Sequence, residues 1–181
     1  HLNKEDKGNR SIFGDASASC IVELDGDSAA TKFVLGTDGS GAENLIVKKG
    51  GFKKDYSINE NNAFPPENLY MNGPEIFNFT IENIPGLVND TLVENEIALE
   101  EVDYFIFHQA NSFMLKYLRK KIKIPVDKFY IGMSETGNTV SATIPIALKD
   151  ALDQHLIKEG DKVLIAGFGV GYSMAATIIT I

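Results

Sequence analysis

The sequence predicts an α/β domain in which helices pack against a mixed sheet, and three observations carry that prediction. Short apolar runs rich in branched and aromatic residues, such as Tyr104 to Phe107, Lys162 to Gly167 and Met174 to Ile181, have the length of strands. Between them lie stretches whose apolar residues recur at helical spacing, and strands alternating with helices argue for layers. The 181 residues, 44% hydrophobic and 23% charged, suffice for one domain with its own core, and no internal repeat is visible.

In chain order, Ser11 to Leu24 reads as small residues leading into a buried strand that ends at the turn Asp25-Gly26-Asp27. Thr31 to Gly36 is a second strand, and Lys48 to Leu69 is a long polar loop, a class usually functional or disordered. From Glu75 the residues Ile76, Phe77, Phe79, Ile81 and Ile84 suit a helix, continued by Leu87, Val88, Leu92, Val93 and Ile97. Pro85-Gly86 predicts a kink there, or two abutting helices, because proline removes a backbone donor and clashes with the preceding turn.

Tyr104 to Phe107 is a buried strand running into His108-Gln109-Ala110-Asn111. The next helix turns Phe113, Leu115, Leu118 and Ile122 inward and its cations outward, and Pro125 ends it. Phe129 to Ile131 is a short strand and Glu135 to Asn138 a polar turn. Thr139 to Leu156 is a helix with Pro145 in its first turns and Leu148, Ala151 and Leu152 facing the core. Gly160-Asp161 is a turn, Phe168 to Gly171 a glycine-rich turn, and the last two strands flank it.

Charge and composition exclude several function classes. A net charge of −8 argues against a nucleic-acid partner, which calls for a strongly basic face. No apolar run approaches the roughly 20 residues of a membrane span, no signal stretch opens the chain, and the expected location is cytoplasmic. The single cysteine, Cys20, allows no internal disulfide and reads as an inert buried thiol, while three histidines form no Cys/His cluster for a metal. No Lys or Arg occurs from Asp55 through Leu115, and then six of the 17 cations fall between Lys116 and Lys128. The chain opens on His1 rather than Met, which suggests a piece of something longer.

Three places carry candidate chemistry. His108 follows an apolar strand directly, and in α/β folds ligands bind beyond the C-terminal ends of strands; a structural histidine is the alternative. Asn138 lies between a strand and a helix, where it suits either a site or a cap. Gly167-Phe168-Gly169-Val170-Gly171 lets the backbone approach a ligand and present amides to an oxyanion, or simply closes a tight hairpin. It lacks the glycine spacing of a dinucleotide-binding loop, no nucleophile elbow is present, and no cofactor is called for. His155 falls on a solvent-facing helix side.

Taken together, F-H-Q-A-N at Phe107 to Asn111, G-N-T-V-S-A-T-I-P at Gly137 to Pro145 and G-F-G-V-G at Gly167 to Gly171 resemble the C-terminal half of 3-oxoacyl-acyl-carrier-protein synthase III, a thiolase-like family. F-G-D-A-S-A at Phe13 to Ala18 and M-N-G-P-E-I-F at Met71 to Phe77 are similar to two further family stretches. The resemblance implies a thiolase-like layered domain, the C-terminal half of a two-domain fold. Residues 1–30 would be the end of the N-terminal half or a linking strand, and residues 31–181 the C-terminal domain. It implies decarboxylative Claisen condensation of an acyl thioester with malonyl-acyl carrier protein in fatty acid biosynthesis. His108 and Asn138 would be two members of a Cys-His-Asn triad, donating to the enolate oxygen, and backbone amides at Gly169, Val170 and Gly171 would form an oxyanion hole.

The family's nucleophilic cysteine precedes the F-G-D stretch, so the role does not pass to Cys20, and the chain alone is expected to be inactive. The implied partners are acyl-CoA and malonyl-acyl carrier protein, with a homodimer for the full-length protein. Phe113 stands where the family has a carrier-docking arginine, and Lys116, Arg119, Lys120, Lys121 and Lys123 could supply that charge or form a solvated helix face. Phe107 replaces a common proline, Met174 a usual tryptophan, and Pro85-Gly86 interrupts a normally continuous helix. These departures leave open an acyltransferase that forms an ester or amide, or a non-catalytic thiolase-like binding module.

Overall fold

The computed structural model describes residues 1–23, 31–51 and 65–181. The turn at Asp25-Gly26-Asp27 and most of the polar loop expected over Lys48 to Leu69 lie outside the described residues.

Four strands form the main sheet in the order β1, β6, β5, β4. They are β1 (Phe33–Thr37), β4 (Tyr104–Phe107), β5 (Lys162–Gly169) and β6 (Ser173–Thr180). Strand β4 runs parallel to β5 with Phe107 opposite Ala166, while the β5–β6 and β6–β1 pairs are antiparallel, so the sheet is mixed as the sequence predicts. Strands β2 (Leu45–Val47) and β3 (Leu69–Met71) make a separate antiparallel pair. The helices are α1 (Lys7–Arg10), α2 (Gly73–Glu94), α3 (Ser112–Ile122) and α4 (Thr143–Asp153).

The layers follow from strand alternation, because successive side chains point to opposite faces. Phe105 and Phe107 of β4 enter a core with Leu87 and Val88 of α2 and Leu115 and Leu118 of α3. Tyr104 and Ile106 point the other way, into a second core with Ala147 and Ala151 of α4. The sheet is thus sandwiched between α2 and α3 on one face and α4 on the other.

Several expectations need correction. Residues 15–23 form no strand and are exposed, with Ile21 and Val22 almost fully so, because no described strand pairs with them. Cys20 is consequently exposed rather than buried. Phe113, Val93 and Leu152 face solvent, and Met114 and Ala147 take inward places instead. Phe129 makes a single parallel bridge to Phe105 rather than a strand. Residues Val140–Ala142 form a separate 3-10 turn, so α4 starts only at Thr143. Phe168 and Gly169 extend β5 instead of belonging to the glycine-rich turn.

Pro85 does not divide its helix: α2 is one 22-residue element. A proline at that place leaves the carbonyl four residues earlier, that of Ile81, without its intrahelical donor. Lys121 of α3 reaches across and donates from Nζ to the Ile81 oxygen at 2.6 Å. Pro145, in contrast, occupies the third position of α4, where a backbone N–H would have no intrahelical partner anyway.

Candidate active site

His108 leaves the end of β4 still tied to the sheet, its N–H donating to the Ala166 carbonyl at 2.8 Å. Its ring meets Phe168 edge-on, with centroids 5.7 Å apart, and its Nδ1 lies 2.7 Å from Thr143 Oγ1 at the start of α4. Burial pushes the imidazole pKa down from 6.5 to about 4, so the ring is neutral at pH 7.

The next residue fixes the loop. Gln109 is 3% exposed; its Nε2 donates to the Phe107 carbonyl at 2.7 Å and its Oε1 accepts from the Gly132 N–H at 3.0 Å. Asn111 is an N-cap, its Oδ1 accepting from the Met114 N–H at 2.8 Å, which starts α3 just past the strand.

Asn138 is held by the opposite end of the chain. Its N–H donates to the Ile12 carbonyl at 2.9 Å, and its own carbonyl accepts from the Gly14 N–H at 3.0 Å. A glycine is needed at 14, because an added Cβ would lie 1.9 Å from the Thr136 carbonyl oxygen. The side-chain Oδ1 accepts from the Val140 N–H at 2.9 Å, which turns the NH₂ end of the amide into its remaining donor. Val140 adopts φ 57°, unusual for a branched residue, while Gly137 at φ 66° takes the same region without steric cost.

The turn after β5 is anchored from outside the sheet. Asp38 and Tyr172 exchange two backbone hydrogen bonds, at 2.8 and 2.6 Å, and the Tyr172 ring stacks on Phe79 with centroids 4.1 Å apart. The Tyr172 hydroxyl accepts from Asn44 Nδ2 at 2.8 Å.

These pieces meet at one cavity of about 930 Å³, whose lining includes His108, Asn138, Thr143, Gly169 and Val170. Ile12, Leu35, Leu45, Met71 and Met174 make much of the rest, and among the described residues that line it none is a carboxylate, Lys or Arg. A neutral imidazole and an amide in such surroundings suit a ligand on which negative charge develops, because donors act strongly against an apolar lining with few competing charges. Among the described residues no three His, Cys, Asp or Glu side chains gather to hold a metal, and no helix is long and apolar enough to cross a membrane.

Not every expected residue arrives there. Gly171, at φ 137°, sits in the turn but is not a lining residue. Lys116, Lys120 and Lys123 lie exposed on the outer side and end of α3. Arg119 is partly buried, its guanidinium donating to the Ile124 carbonyl at 2.8 Å, and Lys121 serves the Ile81 carbonyl. Thr143 was not anticipated; at the start of a helix a threonine reads as an N-cap, and only its place five residues after Asn138 hints at more.

Residues 92–181 match the family described as 3-oxoacyl-[acyl-carrier-protein (ACP)] synthase III C terminal. The beta-ketoacyl-[acyl-carrier-protein] synthase III of Streptococcus gordonii is 33% identical over 178 residues, which cover 97% of this chain and 54% of that protein. The Fusobacterium nucleatum protein of the same name is 34% identical over 93% of this chain and 51% of its own length. The chain thus spans about half the length of the curated relatives it matches. Among solved structures, a 3-oxoacyl-(acyl-carrier-protein) synthase III superposes with a TM-score of 0.85 at 37% identity, over 99% of this chain and 56% of that one. The Burkholderia xenovorans 3-oxoacyl-(acyl-carrier protein) synthase gives 0.81 at 41% identity over 88% of this chain and 46% of its own. Strand order, helix layers and these matches agree: through residues 92–181 the chain belongs to the 3-oxoacyl-[acyl-carrier-protein] synthase III family, with its thiolase-like fold.

Proposed function

We propose that His108 and Asn138 are catalytic residues of a beta-ketoacyl-acyl-carrier-protein synthase III that joins an acyl thioester to malonyl-acyl carrier protein. The observation that carries this reading is their convergence on one cavity, whose described lining holds no charged side chain, beside the turn at Gly169 and Val170. Loss of carbon dioxide from a malonyl thioester leaves an enolate, and its oxygen would accept from the His108 imidazole and the Asn138 NH₂. The enolate carbon then attacks an acyl group held on a cysteine, the thiolate leaves, and the new carbon–carbon bond remains with the carrier. Cys20 is exposed and does not line the cavity, so the nucleophile is proposed to come from outside these 181 residues, and the chain alone to be inactive. The oxyanion-hole amides are proposed to come from the turn, with Gly169 and Val170 at the cavity and Gly171 beside it.

The exposed Lys116, Lys120 and Lys123, with Arg119 in a smaller part, are proposed to steer the acidic carrier protein. The intact protein is proposed to work as a homodimer in the cytoplasm, taking acyl-CoA as its first substrate.

The test uses the intact protein with acyl-CoA and malonyl-acyl carrier protein. Carbon dioxide should be released, and His108→Ala and Asn138→Ala should each slow release by about 10²-fold or more. A wild-type rate in either variant refutes its role. Acylation without decarboxylation would instead favour transfer to an alcohol or amine.

A further inference from the structure

A neutral imidazole offers one donor and one acceptor, so His108 can meet a ligand with either, depending on which nitrogen carries the proton. The contacts of Thr143 bear on that choice. Its hydroxyl lies 2.7 Å from His108 Nδ1 and 2.9 Å from the Val140 carbonyl oxygen. A hydroxyl has one proton and cannot give it to both. If the proton goes to Val140, Nδ1 must donate to Thr143 and Nε2 is left bare. If it goes to Nδ1, the ring's own proton sits on Nε2.

Two observations favour the second arrangement. The Val140 carbonyl already accepts the backbone N–H of Thr143, so it keeps a partner when the hydroxyl turns away. Nδ1 has no other hydrogen-bond partner among the described residues, and burial at Thr143, 3% exposed, keeps solvent from replacing that hydroxyl.

We propose that Thr143 is a positioning residue whose hydroxyl donates to His108 Nδ1 and holds the imidazole as its Nε2–H tautomer, leaving a donor for the cavity. The catalytic meaning of that donor rests on the function proposed above, but the tautomer can be measured without substrate, so the two ideas can fail separately.

The chain contains three histidines, His1, His108 and His155, so ¹⁵N-histidine labelling with long-range proton–nitrogen correlation resolves each ring, and His108→Gln assigns the signal. At pH 7.5 the His108 Nδ1 should be of the unprotonated, hydrogen-bond-accepting type and Nε2 of the protonated type. The reverse pattern in the wild-type protein overturns the proposal. Thr143→Val removes the donor at nearly constant volume and should move the Nδ1 resonance toward that of a bare acceptor, whereas Thr143→Ser should keep the wild-type value. An unmoved Nδ1 resonance in a folded Thr143→Val protein also overturns it. Should that variant not fold, the wild-type and Thr143→Ser spectra decide, since either showing a protonated Nδ1 is sufficient refutation. In the intact protein, Thr143→Val should lower kcat for decarboxylation about tenfold or more with little change in KM, the pattern of a histidine held in the wrong tautomer. Thr143→Ser should stay within about twofold of wild type on the same scale.

Discussion

Strands β4 and β1 lie at opposite edges of one sheet, yet all four residues of β4 are buried, whereas Phe33 and Leu35 of β1 are 64% and 75% exposed. Both are short and apolar. The difference lies in what covers them: α2, α3 and α4 enclose β4 on its two faces, and α2 touches β1. His108 emerges from the enclosed strand, where its backbone is pinned to β5 and its ring is kept neutral. An edge strand is thus a rigid platform for chemistry when both its faces are packed, and only a border when one is left open.

The contrast makes a graded set of predictions. Phe107, fully buried and edge-on to Phe129 at 5.0 Å, should be the costliest to truncate: Phe107→Ala is expected to lose about 3–5 kcal/mol in urea unfolding. A loss under 1 kcal/mol would mean that the covered edge is no more tightly packed than the open one.

Next comes pH. The folded pKa of His108, about 4, lies below its ordinary 6.5, so the unfolded chain binds the proton more readily. This contribution to stability is complete above pH 6.5 and is lost as pH falls toward 4, by about 3 kcal/mol at 1.36 kcal/mol per unit. His108→Gln should flatten the stability profile in that window, and an unchanged acid slope would place the ring in a wetter setting.

Lys121 ranks third. Lys121→Met should cost about 0.5–1.5 kcal/mol by orphaning the Ile81 carbonyl. In a Pro85→Ala background, which restores the helical donor, the same change should cost almost nothing, and a double-mutant cycle measures the coupling. Leu35→Ser on the open edge should have the smallest effect, within about 0.5 kcal/mol.

Much of the layering was legible from local pattern. Tyr104 to Phe107 is apolar at every place, as a strand packed on both faces must be, and β5 and β6 read equally clearly. The family resemblance located His108 and Asn138, whose convergence spacing alone could not establish. The misses share a physical cause. Ile21 and Val22 have strand composition, but a strand exists only through a partner, and the described sheet offers none. Phe113 and Leu152 fit helical periodicity, which places residues on faces without saying which face is covered. Pro85 looked like a break because the lysine that compensates it lies on another helix. Thr143 was hidden because its neighbour His108 is distant in sequence and only the folded chain puts the two hydrogen-bonding atoms side by side.

The clasp on Asn138 also bears on how the molecule comes together. Ile12 and Gly14 grip residue 138 from the far end of the chain, so closing that contact demands a long loop and its entropy. Helix α3 and the β5–β6 hairpin, by contrast, are built from near neighbours. By contact order, the hairpin and the helix should fold early, and the amide at 138 should acquire its orientation among the last events. Hydrogen exchange at the Asn138 N–H would therefore report the completion of the site as well as the stability of the fold.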